Sequence, residues 1–289
     1  MEVKFWGTRG SVPVPGKDTI KYGGNTPCVE IRTSSGNEII LDAGTGIRSL
    51  GNYIVENKSG KSLDILLSHY HWDHIQGIPF FVPLYQPGRN ITFYGLPGIE
   101  KSIKKVISSQ MQGDYFPIKI DDVAANLNFE QLKPSESFKL DGVNVDTYNV
   151  YHPSPTLTFR LSENNGSVVY MTDNELDVEG ENSSNMMKKI EEKNKNLIEF
   201  CYGCDYLIHD MMFDENLMKQ KYGWGHSSNK SLASFAVMAK VKNLIFFHYN
   251  PEYNDEKIDS ILKETREFLK ESGSDINCIA AKEGLTFSV

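Results

Sequence analysis

The sequence predicts an α/β protein in which two β-sheets pack together with helices outside. Three observations carry that expectation. Short apolar strands recur along the whole chain, segments with helical spacing fall between them, and no Ser/Pro/Gly linker divides the chain. At 289 residues and 39% hydrophobic content, the chain is read as a single domain over 1–289, long enough to bury a sizeable core.

The elements follow in order. Val3 to Trp6 is a short strand, followed by a Gly/Pro-rich loop from Gly7 to Pro27. Cys28–Arg32 and Glu38–Leu41 read as strands joined at Ser35-Gly36-Asn37, a hairpin signal. Thr45–Asn57 is helical, with Ile47, Leu50, Tyr53 and Ile54 on one face. Leu63–Leu67 is a compact strand. Ile91–Tyr94 is a strand and Gly98–Ser109 a helix, whose lysines Lys101 to Lys105 read as a solvated face. Strands are expected at Leu127–Leu132, Phe138–Leu140, Val143–Val150, Thr156–Leu161 and Val168–Thr172. Asp177 to Asn196 is the most polar stretch and is read as part of an exposed helix over Ser183–Phe200. Strand and helix then alternate through Tyr206–His209, Ser227–Lys240, Leu244–His248, Asp255–Glu271, Ile276–Ala280 and Leu285–Val289.

Composition narrows the function. The net charge of -8 comes without a basic stripe, which disfavours a nucleic-acid partner. Four cysteines in a chain of this length are too few for a disulfide scaffold, and Cys201-Tyr202-Gly203-Cys204 lacks the second pair a zinc knuckle needs, so buried thiols are expected. No apolar run is long enough to span a membrane, and the N-terminal residues read as a strand instead of a signal peptide, so a cytoplasmic protein is expected.

The chemistry concentrates in His69-Tyr70-His71-Trp72-Asp73-His74, placed on a loop directly after a buried strand. Imidazole nitrogen and carboxylate oxygen are the donors that zinc and similar borderline metals take. His69 and His71 can point to one side, and Asp73 and His74 to a second metal once the chain turns. His152, His209 and His248 follow or end apolar strands, and Asp173 follows another. Strand C-terminal ends that repeatedly deliver such residues form a common site edge in layered α/β folds.

These residues in this order resemble the metallo-β-lactamase superfamily, over essentially the whole chain. The resemblance implies an αββα sandwich of two mixed sheets with two divalent metal ions at one edge, zinc first, with manganese and iron as alternatives. It implies that His69, His71 and His152 hold one metal, Asp73, His74 and His248 the other, and that Asp173 bridges them. Within the superfamily the chain is similar to the ribonuclease Z and cyclic-nucleotide phosphodiesterase side. The matching pieces are Gly7-Thr8-Arg9-Gly10-Ser11, Gly24-Asn25-Thr26, Leu41-Asp42-Ala43-Gly44-Thr45-Gly46, and Ile208-His209-Asp210 with Gly225-His226-Ser227. That likeness implies a proton-donating pair of Asp210 and His226, with Asp210 where ribonuclease Z has a glutamate; His226 also reads as part of a helix N-terminus. Asp42 is implied to hydrogen-bond a ligand, or else is a turn residue. Arg9 reads either as a fork-shaped donor to an anion or as an exposed loop residue. Asn25 and Thr26 are read as a turn, with hydrogen bonding near the metals the alternative, Trp72 as packed under its loop, with stacking on a base the alternative, and Tyr115-Phe116-Pro117 as core or as a pocket wall.

Two close metals can supply hydroxide from a bridging water and stabilise an in-line phosphoryl transition state, with His226 protonating the leaving oxygen. The expected activity is a hydrolase, and within that a phosphodiesterase acting on a small nucleotide-like diester such as a cyclic nucleotide. A ribonuclease Z-like tRNA 3′-end nuclease is the alternative, and the basic arm that branch carries is not visible here. A lactonase or thioesterase needs no His226, and a metal-stabilised sensor or scaffold needs no turnover. A homodimer is expected by resemblance only.

Overall fold

The computed structural model describes residues 1–59, 62–98, 101–176 and 183–289. The first sheet takes β1 (Glu2–Gly7), β2 (Cys28–Arg32), β3 (Glu38–Leu41), β4 (Ser62–Leu66), β5 (Asn90–Gly95) and β6 (Asn126–Gln131). The second takes β7 (Ser137–Leu140), β8 (Val143–Asn149), β9 (Leu157–Glu163), β10 (Gly166–Met171), β11 (Tyr206–Asp210), β12 (Asn243–Phe247) and β13 (Asn277–Ala280). The last strand, β14 (Thr286–Ser288), returns to the first sheet beside β1. Among the described residues the orders are β14-β1-β2-β3-β4-β5-β6 and β13-β12-β11-β10-β9-β8-β7. The helices are α1 (Gly46–Glu56), α2 (Trp72–Ile75), α3 (Ile103–Ser109), α4 (Ser183–Cys201), α5 (Glu215–Met218), α6 (Asn229–Met238) and α7 (Asp255–Glu271).

Three apolar clusters give the layers. Val3, Phe5, Ile31 and Leu41 of the first sheet share one cluster with Val145, Phe159, Tyr170 and Phe247 of the second, so the inner faces meet there. The other face of the first sheet packs on Ile47, Leu50 and Ile54 of α1 and on Ile103 and Ile107 of α3. The other face of the second sheet packs on Ile190 and Leu197 of α4, Leu232 and Phe235 of α6, and Ile258 and Ile261 of α7. This is the expected αββα sandwich of two mixed sheets. No helix among the described residues is long and apolar enough to cross a membrane.

Strand direction positions the site. β3, β4 and β5 are mutually parallel, and β1 runs with them because β2 is antiparallel to both β1 and β3. In the second sheet β10, β11 and β12 are parallel, and β8 shares their direction because β9 opposes both β8 and β10. The residues after β8, β10 and β12 are therefore delivered to one edge, together with the end of β11. A parallel bridge between Arg9 and Tyr249 joins the two sheets at that edge, with the Gly10 N–H donating to Tyr249 O at 2.9 Å and the Tyr249 N–H to Thr8 O at 3.0 Å.

Several sequence expectations need correction. The histidine run does not stay a loop: Trp72–Ile75 forms the short helix α2, too brief to leave a periodic signal. The helix expected from Gly98 begins at Ile103, because Ser102 caps it by accepting from the Lys105 N–H, and residues 99–100 lie outside the described ones. Part of the polar stretch, residues 177–182, also lies outside them; α4 follows, interrupted at Asn194, whose φ/ψ of -111° and 17° leave the helical region. Cys201 and Cys204 are free and buried, as expected, and burial pushes the Cys204 thiol up to about 12.

Arg9 is neither an exposed loop residue nor a substrate fork. It is 0% exposed, its Nε donates to Gly23 O at 2.8 Å and its Nη1 to Tyr253 O at 2.6 Å. The guanidinium ties the loop after β1 to the segment before α7. Arg9→Ala orphans those buried acceptors, at about 1–3 kcal/mol each. The expected result in thermal unfolding is a clearly lowered Tm, whereas an Arg9 that served substrate alone would leave Tm unchanged and raise KM.

Candidate metal centre

The residues after β4, β8, β10 and β12 converge in one small volume. Ligand atoms of His69, His71, His152 and Asp173 all lie within 4.8 Å of one another, and so do those of Asp73, His74 and His248. Asp173 connects the two groups. Its Oδ2 lies 3.5 Å from His69 Nε2 and 3.8 Å from His152 Nε2, and its Oδ1 lies 3.4 Å from His74 Nε2 and 3.2 Å from His248 Nε2. Asp73 Oδ2 approaches His74 Nε2 at 3.2 Å and His248 Nε2 at 2.9 Å. His152 Nε2 stands 3.1 Å from His71 Nδ1.

Backing hydrogen bonds fix which nitrogen His74, His69 and His152 offer. Asp42 Oδ2 accepts from His74 Nδ1 at 2.8 Å, from the Ser68 hydroxyl at 2.8 Å and from the Tyr170 hydroxyl at 2.7 Å, while its Oδ1 accepts from the Ser68 N–H at 2.7 Å. With its proton committed to Asp42, Ser68 Oγ accepts from His69 Nδ1 at 3.0 Å. His152 Nδ1 donates to Gly225 O at 2.9 Å. In each case Nε2 is the nitrogen turned toward the centre. Burial, the largest cause, pushes the pKa of His69 well down, lowers that of His71, and takes that of His152 to about 4. These three rings are therefore neutral and ready to act as ligands.

Backbone geometry is unusual where the centre needs it. Asp42, Asp173 and His248 have φ of 59°, 51° and 52°, the left-handed region, each just beyond the end of a strand. Gly10 has no side chain for a close-approach reason: a Cβ there would lie 2.5 Å from the His248 ring. A Cβ at Gly225, where φ is +82°, would lie 2.1 Å from His152 Nδ1.

The donor set fits divalent metals. Ligands about 2.0–2.2 Å from a tetrahedral zinc stand roughly 3.3–3.6 Å apart, close to most of the separations seen here. His69 Nε2 is buried with no hydrogen-bond partner among the described residues. Burial lowers the pKa of His74, but Asp73, Asp173 and Asp42 outweigh it and hold the ring well above its usual range. The carboxylates around that ring supply the negative charge that a cation would balance.

Asp210 and His226 stand at the same edge. His226 Nδ1 donates to Asp210 Oδ2 at 3.3 Å, and the Ser227 N–H donates to the same oxygen at 3.2 Å. Asp210 Oδ1 accepts from the Asn174 N–H at 3.1 Å. Burial opposes ionisation of Asp210, yet His209 and His226 hold its pKa well below the usual range. Burial likewise opposes the charged form of His226, yet the Asp210 hydrogen bond and the charges of Asp173, Asp210 and Asp73 raise its pKa. A ligand atom of His226 lies within 4.8 Å of those of Asp173 and His248.

Other residues fall elsewhere. His209 is buried, and its Nδ1 donates to Asp210 O at 2.9 Å, away from the two ligand groups. Asn25 and Thr26 lie in irregular backbone and do not form the expected turn: Thr26 and Thr45 exchange hydrogen bonds at 2.9 and 2.8 Å, and the Asn25 amide donates to Glu283 at 3.0 Å. Trp72 is not packed under its loop but 65% exposed: it opens α2, and the buried residues of that helix are Asp73, His74 and Ile75. Tyr115 is 75% exposed and not core, while Phe116 packs edge-on against Phe80. The sequence reading did not identify Ser11, whose N–H donates to Asp73 Oδ2 at 2.7 Å. It also missed Glu175, which is buried and accepts from the Gly223 and Gly225 N–H groups at 3.0 and 2.8 Å, holding the loop before His226.

Asp42→Asn retains the shape but removes an acceptor behind His74 and Ser68. The expected effect is a loss of metal affinity of about 10–100-fold with the fold intact, read by competition against a chelator alongside circular dichroism. Unchanged affinity would make Asp42 a turn residue only.

Comparison with known proteins agrees with this architecture. The chain matches the beta-lactamase superfamily domain over residues 37–249. A protein named Ribonuclease Z from Picrophilus torridus is 26% identical over 303 aligned residues, which cover 94% of this chain and 92% of that one. Among solved structures, unliganded yeast PDE1 has a TM-score of 0.69 at 16% identity, covering 100% of this chain and 99% of its own. Zn(2+)-bound PqqB from Methylobacterium extorquens has a TM-score of 0.70 at 17% identity, covering 100% of both chains. With the family match spanning most of the sequence and the fold shared along its length, the chain belongs to the beta-lactamase superfamily.

Proposed function

We propose that the protein is a metal-dependent hydrolase that cleaves a small nucleotide-like phosphodiester, such as a cyclic nucleotide. One observation carries the reading: the Asp210–His226 pair stands beside two ligand groups that share Asp173. His69, His71 and His152 are assigned to one metal, Asp73, His74 and His248 to the other, and Asp173 to both. Two divalent ions there, zinc first and manganese or iron as alternatives, would lower the pKa of a water toward neutrality and offset charge on the phosphoryl oxygens.

The chain's own residues supply the rest. Asp210 stays ionised and buried, so it fixes His226 with Nδ1–H toward the carboxylate and raises its proton affinity. His226 Nε2 is then the atom that donates a proton to the leaving oxygen. Glu175 holds the loop Gly223–Gly225, which places both His226 and the carbonyl behind His152.

The name Ribonuclease Z carried by the relatives makes RNA the second reading. A net charge of -8 favours the small diester, because binding a polyanion relies on cationic contacts. Assays of the metal-loaded protein on cyclic AMP, bis(p-nitrophenyl) phosphate and precursor tRNA separate the two. Turnover of the small diesters is expected; cleavage of precursor tRNA without any small-diester turnover would overturn the choice.

His226→Ala is expected to lower kcat on cyclic AMP by about 10²–10⁴-fold. The loss on bis(p-nitrophenyl) phosphate should be much smaller, because p-nitrophenolate leaves without a proton. Equal losses on both substrates would contradict proton donation, and no loss would fit a lactonase or thioesterase site.

A further inference from the structure

The proposed reaction gives tasks to Asp210 and His226 but none to His209, a fully buried ring near the end of β11. A buried histidine needs partners for both ring nitrogens. Asn174, also fully buried, supplies one of them. Its Oδ1 accepts from the Tyr151 N–H at 3.0 Å, so the other end of that amide is the NH2 group, which only donates. That Nδ2 stands 3.4 Å from His209 Nε2 and 3.3 Å from Met171 Sδ, and each of these atoms can only accept from it.

The consequence is a fixed tautomer. With Nε2 accepting, Nδ1 carries the ring's proton. Nδ1 lies 2.9 Å from Asp210 O and 3.1 Å from Asp210 Oδ1. Asp210 Oδ1 therefore faces two donors, the His209 Nδ1–H and the Asn174 N–H at 3.1 Å, while Oδ2 faces the Ser227 N–H at 3.2 Å and His226 Nδ1 at 3.3 Å. Only the last of these donors belongs to the ring that gives up a proton. A carboxylate gripped along Oδ1 keeps Oδ2 aimed at His226. With the His209 proton on Nε2 instead, a ring lone pair would face Asp210 Oδ1 and repel it.

We propose that His209, locked by Asn174 with its proton on Nδ1, is a positioning residue that holds the Asp210 carboxylate so that Oδ2 orients His226. It touches no substrate and transfers no proton. Asn174 follows the shared ligand Asp173 and, through the Tyr151 N–H, holds the residue before His152, so one amide ties the Asp210–His226 pair to two metal-ligand segments. The inference rests on the proposed reaction for the use made of the His226 proton; the arrangement around Asp210 is independent of it.

NMR of the metal-loaded protein carrying isotope-labelled histidine tests this without turnover. Near neutral pH, His209 should show a proton on Nδ1 and none on Nε2; a proton on Nε2, or on both, overturns the proposal, and this reading needs no variant to fold. An asparagine amide reaches the place of the His209 Nδ1 and a glutamine amide that of Nε2. His209→Gln, which loses the donor to Asp210, should therefore speed exchange of the His226 Nδ1–H, and His209→Asn should restore its protection. An unaltered His226 signal in His209→Gln overturns the proposal. In assays, His209→Gln should lower kcat on cyclic AMP by about 10–100-fold and leave kcat on bis(p-nitrophenyl) phosphate little changed, because p-nitrophenolate leaves without a proton. His209→Asn should recover most of that loss. Equal losses on the two diesters, or no recovery in His209→Asn, would mean a merely structural histidine. If the NMR outcomes hold while His226→Ala lowers activity on neither diester, the proposed reaction falls and the positioning of His226 stands. A loss selective for cyclic AMP in His226→Ala but not in His209→Gln does the reverse.

Discussion

Asp173 turns its two carboxylate oxygens toward two different sets of histidines, and the rest of the edge is arranged around that arrangement. A buried carboxylate among lone pairs is costly unless a cation or a proton balances it. Here the neighbouring histidines are mostly backed so that their free nitrogens face inward. The local charge therefore calls for positive ions in the same volume that gathers the ligands. The left-handed backbone at Asp173 belongs to the same constraint, because it turns the chain just after β10 and seats the carboxylate between the groups.

Support for this centre comes from parts of the chain that never reach it. Asp42 gathers four hydrogen bonds and so fixes His74 directly and His69 through Ser68. The bridge between Arg9 and Tyr249 locks the loop after β1 against the residue that follows His248, placing Gly10 beneath that ring and the Ser11 N–H on Asp73. Hydrogen bonds of this kind orient the ligands and set which ring nitrogen faces the centre. The sandwich supplies the frame: two sheets whose parallel strands end at one edge bring together residues far apart in sequence.

Much of this was legible in the sequence, for identifiable reasons. His69 to His74 lie within six residues, so their chemistry is local. His152, Asp173 and His248 follow apolar strands, and strand direction converts that pattern into a shared edge. Cys28–Arg32, Glu38–Leu41 and Asp255–Glu271 have the expected bounds because turns and caps mark their ends. What was not legible depends on packing. Nothing near Arg9 in the sequence announces that carbonyls at Gly23 and Tyr253 will enclose it. Trp72 is apolar yet left exposed where it opens a four-residue helix, and the contacts that enclose His209 are invisible until its surroundings are built. Glu175 and Ser11 act through backbone groups, which carry no residue-type signal.

Metal stoichiometry is the most direct measurement. The purified chain, stripped with a chelator and titrated with zinc, should bind two equivalents, and Asp173→Ala should retain no more than one at comparable affinity while keeping its secondary structure. A wild-type chain that saturates at one equivalent, or an Asp173→Ala variant that still holds two as tightly, would contradict a paired centre organised by that carboxylate.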